Sequence, residues 1–219
     1  MQIQRIVRRT LADEASDRLR DLIVGGNLSP DDRLSEPQLA RTLGISRTPL
    51  RAAIARLARE GLLELETGRG FRVTPLNATL VHEIYPILGA LEAMALRITP
   101  ADRLPDPKAL RALNAQLVAK NTTRPQLYAA DRKLHELISA GCPSARLLSL
   151  LEEHKRQAER FDGAFRRGVH ARTKSHAEHE AIIAAIEKRR LARAASLIEE
   201  HYLGGIPVVL DWLEQQEKK

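Results

Sequence analysis

The feature that most constrains this chain is a helical pattern interrupted by one tight turn. In LARTLGISRTPLRAAIARL, Leu39, Ala40 and Leu43 form one apolar stripe, Gly44 and Ile45 break it, and Leu50, Ala53, Ile54, Leu57 and Ala58 form the next. Ser35 and Ser46 stand where helix N-caps belong, and Pro37 is tolerated because it lies in a first turn. An earlier stripe of Leu11, Ala15, Leu19, Leu22 and Ile23 opens at Thr10 and stops at Gly25 and Gly26. After Gly61, LLELETGRGFRV alternates around the turn TGRG and reads as a two-stranded hairpin. Three helices, the last two joined by a tight turn, followed by a hairpin make a winged helix-turn-helix.

The third helix carries Arg47, Thr48 and Arg51 at its N-terminal end, where the macrodipole already disfavours positive charge. An anionic partner removes the conflict. In this motif that end enters the major groove, where Arg47 and Arg51 offer bidentate donors to guanine or phosphate and the Thr48 hydroxyl bonds either. Arg69, between Gly68 and Gly70 at the hairpin tip, is placed to reach the minor groove or the backbone. Isolated surface arginines are usually a solvated face, but turn, helix and wing in this order favour DNA. The formal net charge of +7 agrees with that partner without establishing it.

The stretch GNLSPDDRLSEPQLARTLGISRTPLRAAIARLAREGLLELETGRGFRV resembles the DNA-binding domain of GntR-family transcription regulators. The resemblance implies that Arg47, Thr48 and Arg51 are the recognition-helix contacts and that Gly68, Arg69 and Gly70 form the wing contact. Three positions depart from the family pattern: Asp31 stands where glycine usually follows proline, Ala52 replaces a frequent glutamate, and Pro37 replaces a polar phosphate contact.

Thr74, Pro75 and Asn77 mark a boundary, giving domains at 1–75 and 76–219. Helical periodicity then predicts six helices, at roughly 77–98, 107–120, 124–140, 144–167, 171–188 and 190–203, with a tail helix after Pro207. The fold class is therefore mainly α, a winged helix-turn-helix followed by an all-α bundle. Asp131 and His135 lie at i,i+4 on one helix face; His179 shares a stripe with Ile183 and Ile186, and His201 one with Ala194 and Ile198. A single inward histidine is ordinarily a hydrogen-bonded core residue, whereas three with an aspartate suit a divalent ion: zinc, nickel, manganese or iron. His154, on the stripe of Leu147, Leu151, Ala158 and Phe161, and His176, one turn before His179, are candidate pocket residues.

DRKLHELISAGCPSARL and SHAEHEAIIAAIEKRRLARAASLIEEHY resemble the FCD ligand-binding bundle of the FadR subfamily of GntR regulators. The resemblance implies metal ligation by Asp131, His135, His179 and His201, with a small organic acid held at or near the ion. Leu88 stands where the family commonly has a pocket arginine, so Arg132 or Arg172 is the expected substitute donor.

The single cysteine, Cys142, excludes an intrachain disulfide framework, and no apolar run reaches the roughly 18 residues of a membrane span. The expectation is a cytoplasmic homodimeric regulator, a repressor by resemblance, binding a palindromic double-stranded DNA operator under control of a small acid. Two other classes compete: a metal-dependent hydrolase using the same Asp/His site, which lacks a separate base or nucleophile motif, and a constitutive DNA-packaging protein.

Overall fold

A computed structural model describes residues 9–66, 70–120, 122–161 and 169–218. The chain divides into two compact units after Leu76.

In the first unit, α1 (Leu11–Val24), α2 (Glu36–Leu43) and α3 (Arg47–Arg59) pack with a small sheet of β1 (Arg33–Leu34), β2 (Leu63–Glu66) and β3 (Gly70–Val73). The sheet is antiparallel in the order β1-β3-β2, with Leu34 opposite Phe71 and Leu63 opposite Val73. The sequence predicts only the hairpin; β1 is an addition, because a two-residue strand is too short for alternation to show. Leu19, Ile23, Leu50, Ile54, Leu57, Leu62, Phe71 and Val73 form the buried core. Each such side chain contributes about 1.5–3 kcal/mol on burial, which holds α3 rigidly by its inner face.

Thr10 caps α1 through a reciprocal bond with Asp13. Ser35 and Ser46 occupy the N-cap positions of α2 and α3 with extended backbones, but neither side chain makes the capping bond. Gly44 ends α2 at φ 66°, the left-handed conformation that lets the turn close without a Cβ penalty. Asp31 adopts φ 68°, which explains physically why a glycine suits that position; a short polar side chain tolerates it at some cost.

Among the described residues the second unit has six helices: α4 (Ala78–Arg97), α5 (Pro107–Gln116), α6 (Arg124–Ser139), α7 (Ala145–Glu159), α8 (Val169–Glu187) and α9 (Leu191–Glu217). Helix α5 is shorter than expected, its cap falling at Leu117. Helix α7 ends at Glu159 in a turn through Phe161, and the remainder of the expected 144–167 helix lies outside the described residues. The predicted stop at 203 and separate tail helix are corrected to one helix, α9, that runs through Pro207. Proline removes a single N–H from the ladder, and apolar packing on both sides of it, from Ile198 to the fully buried Val209, outweighs that loss. Where α9 crosses α4, Gly89 permits close approach: a Cβ there would stand 3.2 Å from Glu199 Cα. The core joins Leu96, Leu110, Leu134, Ile138, Ile182, Ile186 and Ile198.

Candidate functional site

On the first unit, α3 turns Leu50, Ala53, Ile54 and Leu57 inward, and this phase leaves Arg47, Thr48 and Arg51 exposed together at its N-terminal end. Arg51 Nε sits 2.8 Å from Glu36 Oε1, an exposed pair that partly neutralises the surface. Gly70 opens β3 opposite Glu66 with φ 92°; a Cβ would meet the Leu34 carbonyl at 3.0 Å. Gly68 and Arg69 lie outside the described residues.

In the second unit, α6, α8 and α9 bring His135, His179 and His201 together, with ring nitrogens within 4.8 Å of one another. His179 Nε2 and His201 Nε2 are 3.4 Å apart, and Asp131 Oδ1 is 3.9 Å from His179 Nε2. His179 is fully buried, while Asp131 is 38% exposed at the edge of the cluster. Each imidazole is oriented by an acceptor at its other nitrogen. His135 Nδ1 donates to Glu92 Oε1 at 2.8 Å, and His201 Nδ1 donates to Glu178 Oε2 at 2.7 Å. His179 Nδ1 donates to Asn114 Oδ1 at 3.2 Å; the Asn114 amide is fixed this way round because its Nδ2 donates to the His176 carbonyl and to Glu180. With the three Nδ1–H groups so engaged, Nε2 is left as each ring's ligating nitrogen and carries a lone pair when the ring is neutral. Two such lone pairs at 3.4 Å, beside a carboxylate, repel unless a cation or proton lies between them.

Burial first, and then the neighbouring His201, His135 and His176, push the His179 imidazole well below its usual value, so it is neutral at pH 7. Burial also opposes charge on His135, but the Glu92 carboxylate outweighs it and raises that ring. Glu92 is itself buried, which opposes its ionisation; His135 and Lys155 outweigh this and hold it ionised. Its second oxygen accepts from Tyr202 Oη at 2.8 Å, and burial followed by Glu92 pushes the Tyr202 phenol well up.

A cavity of about 160 Å³ opens beside the cluster, and Asp131, His135 and His201 form part of its wall. Arg132 and Arg172 also line it, as do Lys155 and Leu88. Arg132 is committed to Glu136 at 3.1 Å and Glu159 at 3.3 Å. His154 and His176 do not line this cavity: His154 Nδ1 bonds back to the Leu150 carbonyl, and α7 instead turns Lys155, Ala158 and Glu159 toward the space. His176 supplies its backbone carbonyl to Asn114.

Sequence reasoning passed over Glu92, Asn114, Glu178 and Lys155. Glu92 carries a legible signal, being the one carboxylate on the otherwise apolar buried stripe Val81, Ile84, Leu88, Glu92, Ala95 of its helix. Asn114 similarly continues the stripe of Leu110 and Leu117.

A winged helix presenting arginines, on one chain with an all-α unit that gathers a histidine cluster beside a cavity, defines a DNA-binding transcription regulator with an effector-binding domain. The chain belongs to the GntR family: residues 11–73 match "Bacterial regulatory proteins, gntR family" and residues 83–204 match the "FCD domain", together the FadR-like architecture. It is 29% identical to the "Uncharacterized HTH-type transcriptional regulator YdhC" of Bacillus subtilis (strain 168), over 85% of each chain. It is 28% identical to the "HTH-type transcriptional repressor GlaR" of Escherichia coli (strain K12), over 87% of this chain and 92% of that one. The solved structure of E. coli McbR/YncC superposes with a TM-score of 0.71 at 20% identity, covering 94% of this chain and all of that one, which shows the shared fold. The protein is a regulator and not an enzyme, which removes the hydrolase alternative. Among the described residues no helix is long and apolar enough to cross a membrane.

Proposed function

We propose that this regulator is a homodimeric repressor that reads a palindromic operator and is controlled by a small carboxylate bound at a divalent metal in its second unit. The observation that carries the reading is the convergence of the three imidazoles on one point, each held from behind by its own acceptor. Ligand nitrogens around an ion bound at about 2.0–2.1 Å are about 3.0–3.4 Å apart, which fits the His179 to His201 separation of 3.4 Å. Asp131, His135, His179 and His201 would hold the ion, with Glu92, Asn114 and Glu178 fixing the rings. When bound, a divalent ion supplies a fixed positive charge and open positions for an oxygen ligand; zinc, nickel, manganese and iron all suit this donor set.

On DNA, Arg47, Thr48 and Arg51 contact the major groove and the hairpin around Gly70 contacts its neighbour, while two copies read the two half-sites. A relative named a transcriptional repressor supports repression. An acid bound in the second unit changes operator affinity by linkage, through unequal affinity for the DNA-bound and free forms.

The test uses purified full-length chain. Elemental analysis should find a divalent ion that is lost from the double variant His179→Ala, His201→Ala, and selection from random DNA should return a palindrome bound with steep salt dependence. A chain that neither retains nor binds any divalent metal would refute the metal site; selection without a consensus would refute the operator reading.

A further inference from the structure

Leu50, Ala53, Ile54 and Leu57 turn one side of α3 into the core, and the opposite side carries Thr48, Ala52, Ala55 and Arg59, all exposed. Two alanines thus occupy the middle of the face proposed above to enter the major groove. The arginines around them are drawn aside. Arg51 reaches Glu36 on α2 at 2.8 Å, Arg56 reaches Asp13 on α1 at 2.7 Å, and Arg59 Nε donates to the Ala55 carbonyl at 3.4 Å. The neighbours of Ala52 along the helix are Thr48, Pro49, Ala55 and Arg56, and only the last is charged. A chain of net charge +7 that gripped phosphate alone would gain from a basic residue at this position. Alanine offers neither donor nor acceptor there, only a methyl group.

We infer that Ala52 reads the C5-methyl group of a thymine, so that each half-site carries one thymine that no arginine recognises. The major-groove edge of thymine presents a single apolar group, its methyl, and alanine is among the side chains that fit it. Position decides between the two alanines. The first residues of a recognition helix reach the base edges, and Ala55 stands nearly a turn farther on, with Arg59 folded back to its carbonyl. Size acts in the same direction: with one carbon beyond the backbone at position 52, α3 can lie close to the bases, where a longer side chain would hold it off. The contact supplies a discrimination that the arginines do not. Guanidinium donors read guanine or grip phosphate, whereas a methyl contact separates thymine from cytosine, whose C5 carries only hydrogen. The inference rests on the DNA-binding face proposed above.

The experiment takes the duplex that full-length chain selects from random DNA and replaces its thymines one at a time by deoxyuridine, which lacks only the C5-methyl and keeps the base pair. Gel-shift titration gives the affinity. At one thymine of each half-site the replacement should weaken wild type about fourfold, the worth of one buried methyl-sized group. Ala52→Gly should bind the thymine and deoxyuridine duplexes equally, while Ala55→Gly should keep the difference; a general weakening of either variant cancels in this comparison. Ala52→Glu, whose carboxylate accepts from cytosine N4, should select cytosine at that position when the selection is repeated. Circular dichroism checks each fold, and the glutamate variant carries the test should the glycine one fail to fold. Four results would overturn the assignment and leave the operator reading intact: a consensus without thymine, wild type indifferent to every replacement, undiminished discrimination in Ala52→Gly, or an unchanged consensus for Ala52→Glu. Selection that returns no consensus would overturn both.

Discussion

Replacing Glu92 with glutamine tests whether the residues behind the histidines build the site. Glu92 is fully buried, with one oxygen on His135 Nδ1 and the other on Tyr202 Oη, both at 2.8 Å. Glutamine keeps the volume, and its single oxygen can keep the His135 bond while the Tyr202 hydroxyl rotates to accept from the new amide. What is lost is the charge. Its attraction to Lys155 at 3.8 Å is worth about 4 kcal/mol at an effective dielectric constant of about 20, offset by a desolvation penalty of several kcal/mol. The expected net destabilisation is about 1–3 kcal/mol, whereas Glu92→Leu, which strands Lys155 and both donors, should cost about 3–5 kcal/mol. Losing the carboxylate behind a ligating imidazole should weaken metal binding by about 10–100-fold, or about 1.4–2.7 kcal/mol. Because Glu92 is held below its ordinary 4.5, its contribution is present above that pH and lost on acidification, and the glutamine variant should lack this component. Urea denaturation across pH and competition against a chromogenic chelator measure the two effects. Wild-type metal affinity in a folded Glu92→Gln chain would refute the reasoning.

Three further outcomes follow. Arg47→Ala and Arg51→Ala should each lower specific operator affinity by about 1–3 kcal/mol in gel-shift titrations with the fold intact, and Glu36→Gln, which frees Arg51 from its exposed ion pair, should raise affinity slightly; unchanged binding by the double arginine variant would refute the recognition helix. Asp13 is held below the usual carboxylate range by the backbone and hydroxyl of Thr10 and by Arg56, so the stability it lends α1 is present above about pH 4 and lost as pH falls, and Asp13→Asn should flatten the acid limb of the first unit's unfolding curve. Gly141→Ala should destabilise the second unit by about 1–3 kcal/mol in thermal melts, since the added Cβ would stand 2.2 Å from the Arg103 carbonyl oxygen; a wild-type melting temperature would show that this loop yields freely.

The sequence by itself determined the elements whose cause is local. Helical spacing, the break at Gly44 and the alternation around TGRG specify the winged helix, because side-chain period and backbone freedom act over a few residues. The gathering of His135, His179 and His201 was legible for the same reason, His179 and His201 each lying on an inward stripe and His135 sharing one helix face with Asp131, and the family resemblance joined the four into one expected set. The third strand was not legible, since Arg33 and Leu34 become a strand only by pairing with Arg72 and Phe71 from 37–39 residues away. Nor was the continuity of α9 through Pro207, where packing against other helices overrides a local breaker. Tertiary structure alone decided which acceptor holds each imidazole and which acid each buried cation faces. Glu92, Asn114 and Lys155 come from three helices, and whether a charge is paired depends on distances across the bundle that no spacing along one helix contains. Arg132 and Lys155 are both basic residues on helical stripes; only the fold sets Glu136 and Glu159 against the one and Glu92 against the other.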